Sequence, residues 1–112
     1  MNEPQKRIIL YETQSGRYPF EEWLEALKDK KGKYIIRARL DRLTYGNAGK
    51  CEPVGNGVFE LKIYYGPGYR VYFGEEDKTV VVLLCGGDKG TQKKDILKAR
   101  EYWADCKGRI KI

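Results

Sequence analysis

Apolar residues recur along this chain with two distinct periods. In FELKIYYGPGYRVYF (59–73), alternate positions are apolar on both sides of a Gly-Pro-Gly stretch, the two-residue period of a β-hairpin. TVVVLLCGG (79–87) is instead a continuous apolar run, as expected of a strand buried on both faces in the middle of a sheet. RIILYE (7–12) reads as a first strand, with Ile8, Ile9 and Leu10 partly or wholly buried. The helical period appears at Phe20, Trp23, Leu24 and Leu27, spaced i, i+3, i+4, i+7 behind Pro19, which suits a first helical position. Glu21 and Glu22 then lie at the positive end of that helix's dipole.

KDKKGK (28–33) reads as a solvated break, followed by a helix from about Lys33 to Tyr45, with Ile36, Leu40 and Leu43 inward and Gly46 as its stop. Its outer face holds Arg37, Arg39 and Arg42, in the first place a solubilising surface, in the second a rim able to track phosphates. GNAGKCEPVGNG (46–57) is a glycine-rich connection and GEEDK (74–78) a turn. The last helix spans about Gln92 to Cys106, with Thr91 as N-cap and Ile96, Ala99 and Trp103 inward, and CKGRIKI forms a basic tail. The order β-α-α-β-β-β-α, with adjacent strands joined by tight turns, predicts one α+β domain: an antiparallel sheet with helices packed on it. No repeat or linker divides the chain.

The hairpin carries a further constraint. Phe59, Leu61 and Ile63 share a core face with Tyr69, Val71 and Phe73 only if opposed residue numbers sum to an even value, which requires a turn of three or five residues. Lys62 then lies near Arg70 or Tyr72 on the other face, at roughly 5 Å if opposite and 7–8 Å if diagonal. Two cations so close repel, with Glu60 in partial compensation, unless an anion is meant to sit between them. GGDKGTQ (86–92) brings a third cation, Lys89, to a helix N-terminus whose backbone N–H groups, with Thr91 and Gln92, suit an oxyanion or phosphate. The stretch is not a Walker motif.

Composition narrows the chemistry. The 112 residues, 41% hydrophobic, suit one compact core. No apolar run is long enough to cross a bilayer and MNEPQKRIILYE lacks a signal-peptide pattern, so a cytoplasmic, non-membrane protein is expected. Cys51, Cys85 and Cys106 are odd in number and scattered, which argues for reduced thiols, with Cys85 in a core strand. The absence of histidine removes Cys-His zinc sites and any Ser-His-Asp or Cys-His mechanism. The formal charge of +6 favours polyanions only weakly.

ELKI, GPGYRVYF and VVVLLCGGDKGTQKKDILKA together resemble the signature of RelE/ParE-superfamily toxins, and most closely the HigB-like "addiction module killer protein" branch. The similarity runs from YETQSGRYPFEEWL to KAREYW; it is specific from Phe59 to Ala99 and a matter of pattern before that. It implies the toxin of a bacterial type II toxin–antitoxin pair, an mRNA interferase acting on ribosome-bound mRNA. It also implies a helix-turn-helix antitoxin that neutralises the toxin, with operator DNA contacted only through their complex. Carried over by position, the catalytic cations are Lys62, Arg70 and Lys89; Ile96 stands in the region where RelE-type enzymes carry a tyrosine.

The residue chemistry suits such a reaction, with no cofactor or metal. Attack by the RNA's own 2′-hydroxyl needs a base, stabilisation of a pentavalent phosphorane and protonation of the leaving 5′-oxygen. Arg70 matches two phosphate oxygens with its fork, while lysines lowered in pKa by neighbouring cations could move protons. Tyr64 and Tyr72 could share that duty or stack on unpaired bases, and Thr91, Gln92, Arg37 and Arg39 complete the expected substrate contacts. The alternatives are a ParE-like gyrase inhibitor, which shares the fold and cuts no RNA, and a catalytically degenerate binding protein or co-repressor.

Overall fold

The computed structural model describes residues 5–110. Its elements are β1 (Arg7–Leu10), α1 (Pro19–Ala26), α2 (Lys30–Thr44), β2 (Cys51–Pro53), β3 (Val58–Ile63), β4 (Tyr69–Glu76), β5 (Val80–Asp88), a 3-10 turn (Lys89–Thr91) and α3 (Gln92–Ile110). They form an α+β domain whose five strands make one sheet in the order β1-β5-β4-β3-β2. Among the described residues no helix is long and apolar enough to cross a membrane. The MNEP start and the last two residues of the basic tail lie outside the described residues; α3 itself continues through most of that tail.

The sheet is mixed rather than antiparallel. β1 runs parallel to β5, with Ile8 beside Val81 and Leu10 beside Leu83, whereas the other three pairings are antiparallel. β5 is apolar throughout and needs a neighbour on each edge; β4 takes one, and β1 returns to the other. Helices lie between β1 and the rest of the sheet in sequence, so a tight hairpin does not dictate its direction. β2 lies inside the glycine-rich connection expected over 46–57. It is three residues long and ends at Pro53, a residue tolerated only on an edge strand.

α1 starts at Pro19 as expected and buries Phe20 and Leu24. α2 starts three residues before the expected Lys33, because Asp29 in the polar break is a true N-cap, its carboxylate accepting the Gly32 N–H at 2.8 Å. Both helices cover one face of the sheet, over Leu61, Ile63, Tyr69, Val71, Phe73, Val81 and Leu83. α3 covers the other with Ala99 and Trp103, over Val58, Tyr72, Val82, Leu84 and Cys85. Each cover is seated on a glycine: a Cβ at Gly86 would lie 2.2 Å from the Trp23 ring, and one at Gly74 would lie 2.5 Å from the Trp103 ring. The hairpin face expected to be a polar surface is therefore, along much of its length, a second core.

Candidate functional site

The register rule holds. Ile63 faces Tyr69 across a five-residue turn, and Lys62 lies directly opposite Arg70. Arg70 is next to Gly87 on β5 and Tyr69 next to Asp88, so Lys89 leaves the sheet at the same end. A Cβ placed on Gly68 would be 3.3 Å from Arg70 Nη1 and 3.5 Å from Lys89 Cβ, so both residues flank one point of the turn. Lys62, Arg70 and Lys89 thus sit at one end of the sheet, although the Lys62 ammonium turns to Glu52 on β2. An open cleft beside them is lined by Lys89, Gly90, Thr91, Gln92, Lys93 and Lys94.

Two of the three cations have carboxylate partners. Lys62 Nζ lies 3.1 Å from Glu52 on β2. That hydrogen bond raises the Lys62 pKa, against the expectation that neighbouring cations would lower it: the directly bonded carboxylate outweighs the desolvation that opposes it. Lys62 therefore holds its proton at neutral pH and is no general base there.

Arg70 is 6% exposed and Glu60 1%. Arg70 Nη1 donates to the Gly68 carbonyl at 3.1 Å, and Arg70 Nε lies 3.7 Å from Glu60 Oε2. Among the described residues, that Nε is the one buried side-chain nitrogen or oxygen without a hydrogen-bond partner. Glu60 Oε2 also accepts the Tyr72 hydroxyl at 2.9 Å and the Gln92 amide at 2.8 Å. One carboxylate so joins β3, β4 and the first residue of α3. Buried charges persist only when paired and hydrogen-bonded in this way.

The remaining expected contacts divide. Tyr64 is 72% exposed and free to stack, whereas Tyr72 is 0% exposed and cannot. Burial and Glu60 push the Tyr72 hydroxyl far above its ordinary pKa, so it is neither stacking platform nor base. Gln92 is committed to Glu60, which makes it a brace for the site rather than an open substrate contact. Thr91 immediately precedes α3 and ends a 3-10 turn that Asp88 caps, its carboxylate accepting the Gly90 N–H at 2.8 Å, while the Thr91 hydroxyl accepts the Asp88 N–H at 3.2 Å. A carboxylate of the chain itself thus takes an amide expected to face a phosphate.

Arg37 is exposed on α2. Arg39 is not a rim residue: its two terminal nitrogens donate to the Lys62 and Ala48 carbonyls, each at 2.9 Å, clamping α2 to β3. Burial lowers its pKa, yet a guanidinium remains charged. Nothing local in the sequence marks Glu52 or Asp88 as site residues, and Glu60 is legible there only as a partial counter-charge. The even-sum register put Glu60, Arg70 and Tyr72 on one face, and the register found sets Glu60 directly opposite Tyr72.

Fold and site together define a small α+β domain with a mixed five-stranded sheet and a cation-rich end built by β3, β4 and β5. No family model matches the chain. An uncharacterized protein of Haemophilus influenzae is 49% identical over 81 residues, spanning 72% of this chain and 82% of that protein. The chain belongs to the same family as that protein.

Proposed function

We propose that the protein is a RelE-like toxin of the HigB-like branch of type II toxin–antitoxin systems, an endoribonuclease that cleaves mRNA on the ribosome and so inhibits translation. The observation that carries this reading is the placement of Lys62, Arg70 and Lys89 at one end of the sheet, where Lys89 opens onto a lysine-lined cleft. In the reaction, a bond forms between the 2′-oxygen and phosphorus while the bond from phosphorus to the 5′-oxygen breaks. The 2′-hydroxyl gives up a proton and the departing oxygen gains one.

Arg70, held by Gly68 and Glu60, stabilises the phosphorane. Lys62, kept protonated by Glu52, adds fixed positive charge. Lys89, exposed at the lip, reaches the leaving group. A helix-turn-helix antitoxin with an acidic segment is the partner that would cover this basic end in the cytoplasm, and operator DNA is bound through that complex.

The test is mapping of new RNA 5′ ends with purified protein, with and without translating ribosomes. Lys89→Ala should keep the native melting temperature and lower cleavage about a hundredfold or more, the usual effect of losing one transition-state contact. Full cleavage by this folded variant would refute the mechanism. The pairing of Lys62 with Glu52 and Arg70 with Glu60 favours a second reading, a catalytically silent relative retained as a binding protein or co-repressor. Overexpression without antitoxin separates the two, since only the nuclease arrests growth.

A further inference from the structure

Cleavage by a 2′-hydroxyl needs a group that takes its proton, and most side chains near Arg70 are unsuited to that task. Lys62 keeps its proton beside Glu52. Burial pushes the Tyr72 hydroxyl far above its ordinary pKa and the Cys85 thiol up to about 12. The chain contains no histidine. Among the carboxylates, Glu52 faces Lys62, Glu60 is shared by Arg70, Tyr72 and Gln92, and Asp88 caps the 3-10 turn.

Asp95, in the first turn of α3, is placed differently. It belongs to none of the ion pairs formed among the described residues, and the Thr91 hydroxyl donates to its Oδ2. The sheet fixes where it sits. Lys62, Arg70 and Gly87 lie side by side on β3, β4 and β5, on the face that α3 covers. A Cβ on Gly87 would lie 1.8 Å from Asp95 Oδ2 and 2.8 Å from Thr91 Oγ1, so the carboxylate fills the space that a β5 side chain would take. Side chains directly opposite on neighbouring strands start only about 4.5–5.5 Å apart. The row across the sheet is therefore a lysine, an arginine and a carboxylate. Asp95 is half-buried and lines an open cleft with Cys85, Lys94, Lys98 and Tyr102; Lys94 also lines the cleft beside Lys89.

We propose that Asp95 is the general base of the cleavage, a role that rests on the nuclease reading above. Its carboxylate takes the proton as the 2′-oxygen bonds to phosphorus, while Arg70 holds the phosphate. Lys89 gives a proton to the 5′-oxygen as the bond from phosphorus breaks. Asp95 ends as the acid and Lys89 as the amine, and solvent returns both to their starting forms. A half-exposed carboxylate with no cation beside it accepts a proton more readily than one engaged in a salt bridge.

A leaving group that needs no acid tells the two proton transfers apart. Ribosome-bound mRNA is prepared with the natural 5′-oxygen at the cut or with sulfur in its place, which departs as a thiolate without a proton. Asp95→Asn keeps the volume and an acceptor oxygen for Thr91, so its melting temperature should match the parent. It should cut the oxygen substrate about a hundredfold to ten-thousandfold more slowly, and fall as far below the parent on the sulfur one. Lys89→Ala should be slow on oxygen and recover to within about tenfold of the parent on sulfur. Asp95→Asn that cuts the oxygen substrate at the parental rate, or that sulfur rescues, overturns the assignment. If Asp95→Asn melts low, Asp95→Glu keeps a carboxylate at the same corner, and a rate no higher than that of Asp95→Ala overturns it too. Parent protein that cuts neither substrate refutes the nuclease reading itself, a result distinct from both of these.

Discussion

Replacing Glu60 by alanine should be the most damaging single change to the site. The carboxylate is 1% exposed and receives the Tyr72 hydroxyl, the Gln92 amide and the charge of Arg70. Its removal leaves a guanidinium that is 6% exposed with only the Gly68 and Tyr69 carbonyls, at 3.1 and 3.5 Å. Breaking a buried pair from one side costs about 3–5 kcal/mol. A domain of this size has roughly 5–15 kcal/mol in all. With a urea slope of roughly 2 kcal/mol per molar, the midpoint should fall by about 2 M.

Tyr72→Phe removes one hydrogen bond and leaves the ion pair, so it should cost only about 1 kcal/mol. The double change Glu60→Leu with Arg70→Met removes both charges and keeps the volume filled but leaves the buried Tyr72 hydroxyl without its acceptor, so it should cost about 1–3 kcal/mol, less than Glu60→Ala, which also strands the guanidinium. Urea unfolding followed by tryptophan fluorescence ranks the three. A Glu60→Ala midpoint equal to that of the parent, or a double variant less stable than Glu60→Ala, would refute the account of Glu60 as the counter-charge of Arg70. The double variant, folded and lacking the phosphorane contact, should also be inactive.

Other consequences follow from the packing and the titrating groups. Gly86→Ala sets a methyl 2.2 Å from the Trp23 ring, so thermal melting should show a loss of about 1–3 kcal/mol or more from overpacking. The Asp29 carboxyl is held below its ordinary pKa, first by the Gly32 N–H, and Asp105 by the Tyr11 hydroxyl. Both therefore stabilise the fold above the usual carboxylate pKa of about 4, and that contribution should vanish as pH falls through the lower folded values. At the other extreme, burial and Asp29 push Tyr69 up to about 12, so its contribution is present below the ordinary tyrosine pKa and lost as pH rises through about 12. Cys85 is pushed up to about 12 by burial, so iodoacetamide near pH 8.5 should leave it unmodified until the protein unfolds, as read by mass spectrometry.

Much of the architecture was written locally in the chain. Alternation in 59–73 alone put Lys62 beside Arg70 or Tyr72 on one face and restricted the turn to lengths that include the observed five residues; the structure chose Arg70. The unbroken apolar run of 79–87 marked β5 as a central strand, and Pro19, Gly46 and the polar DKGTQ placed the helices to within a few residues. These features depend on period and backbone geometry, which act between near neighbours. What tertiary structure decided is which face each residue would lose to water. Alternation assigned Glu60, Arg70 and Tyr72 to one side of the hairpin; only the arrival of α3 from beyond β5 buried them and turned Glu60 into a hub. In the same way, Arg39 became a clamp, Lys62 gained Glu52 and kept its proton, and β1 found β5 in parallel. Each of these depends on a partner distant in sequence, and desolvation, which sets the strength of every charge at this site, is a property of the whole assembled core.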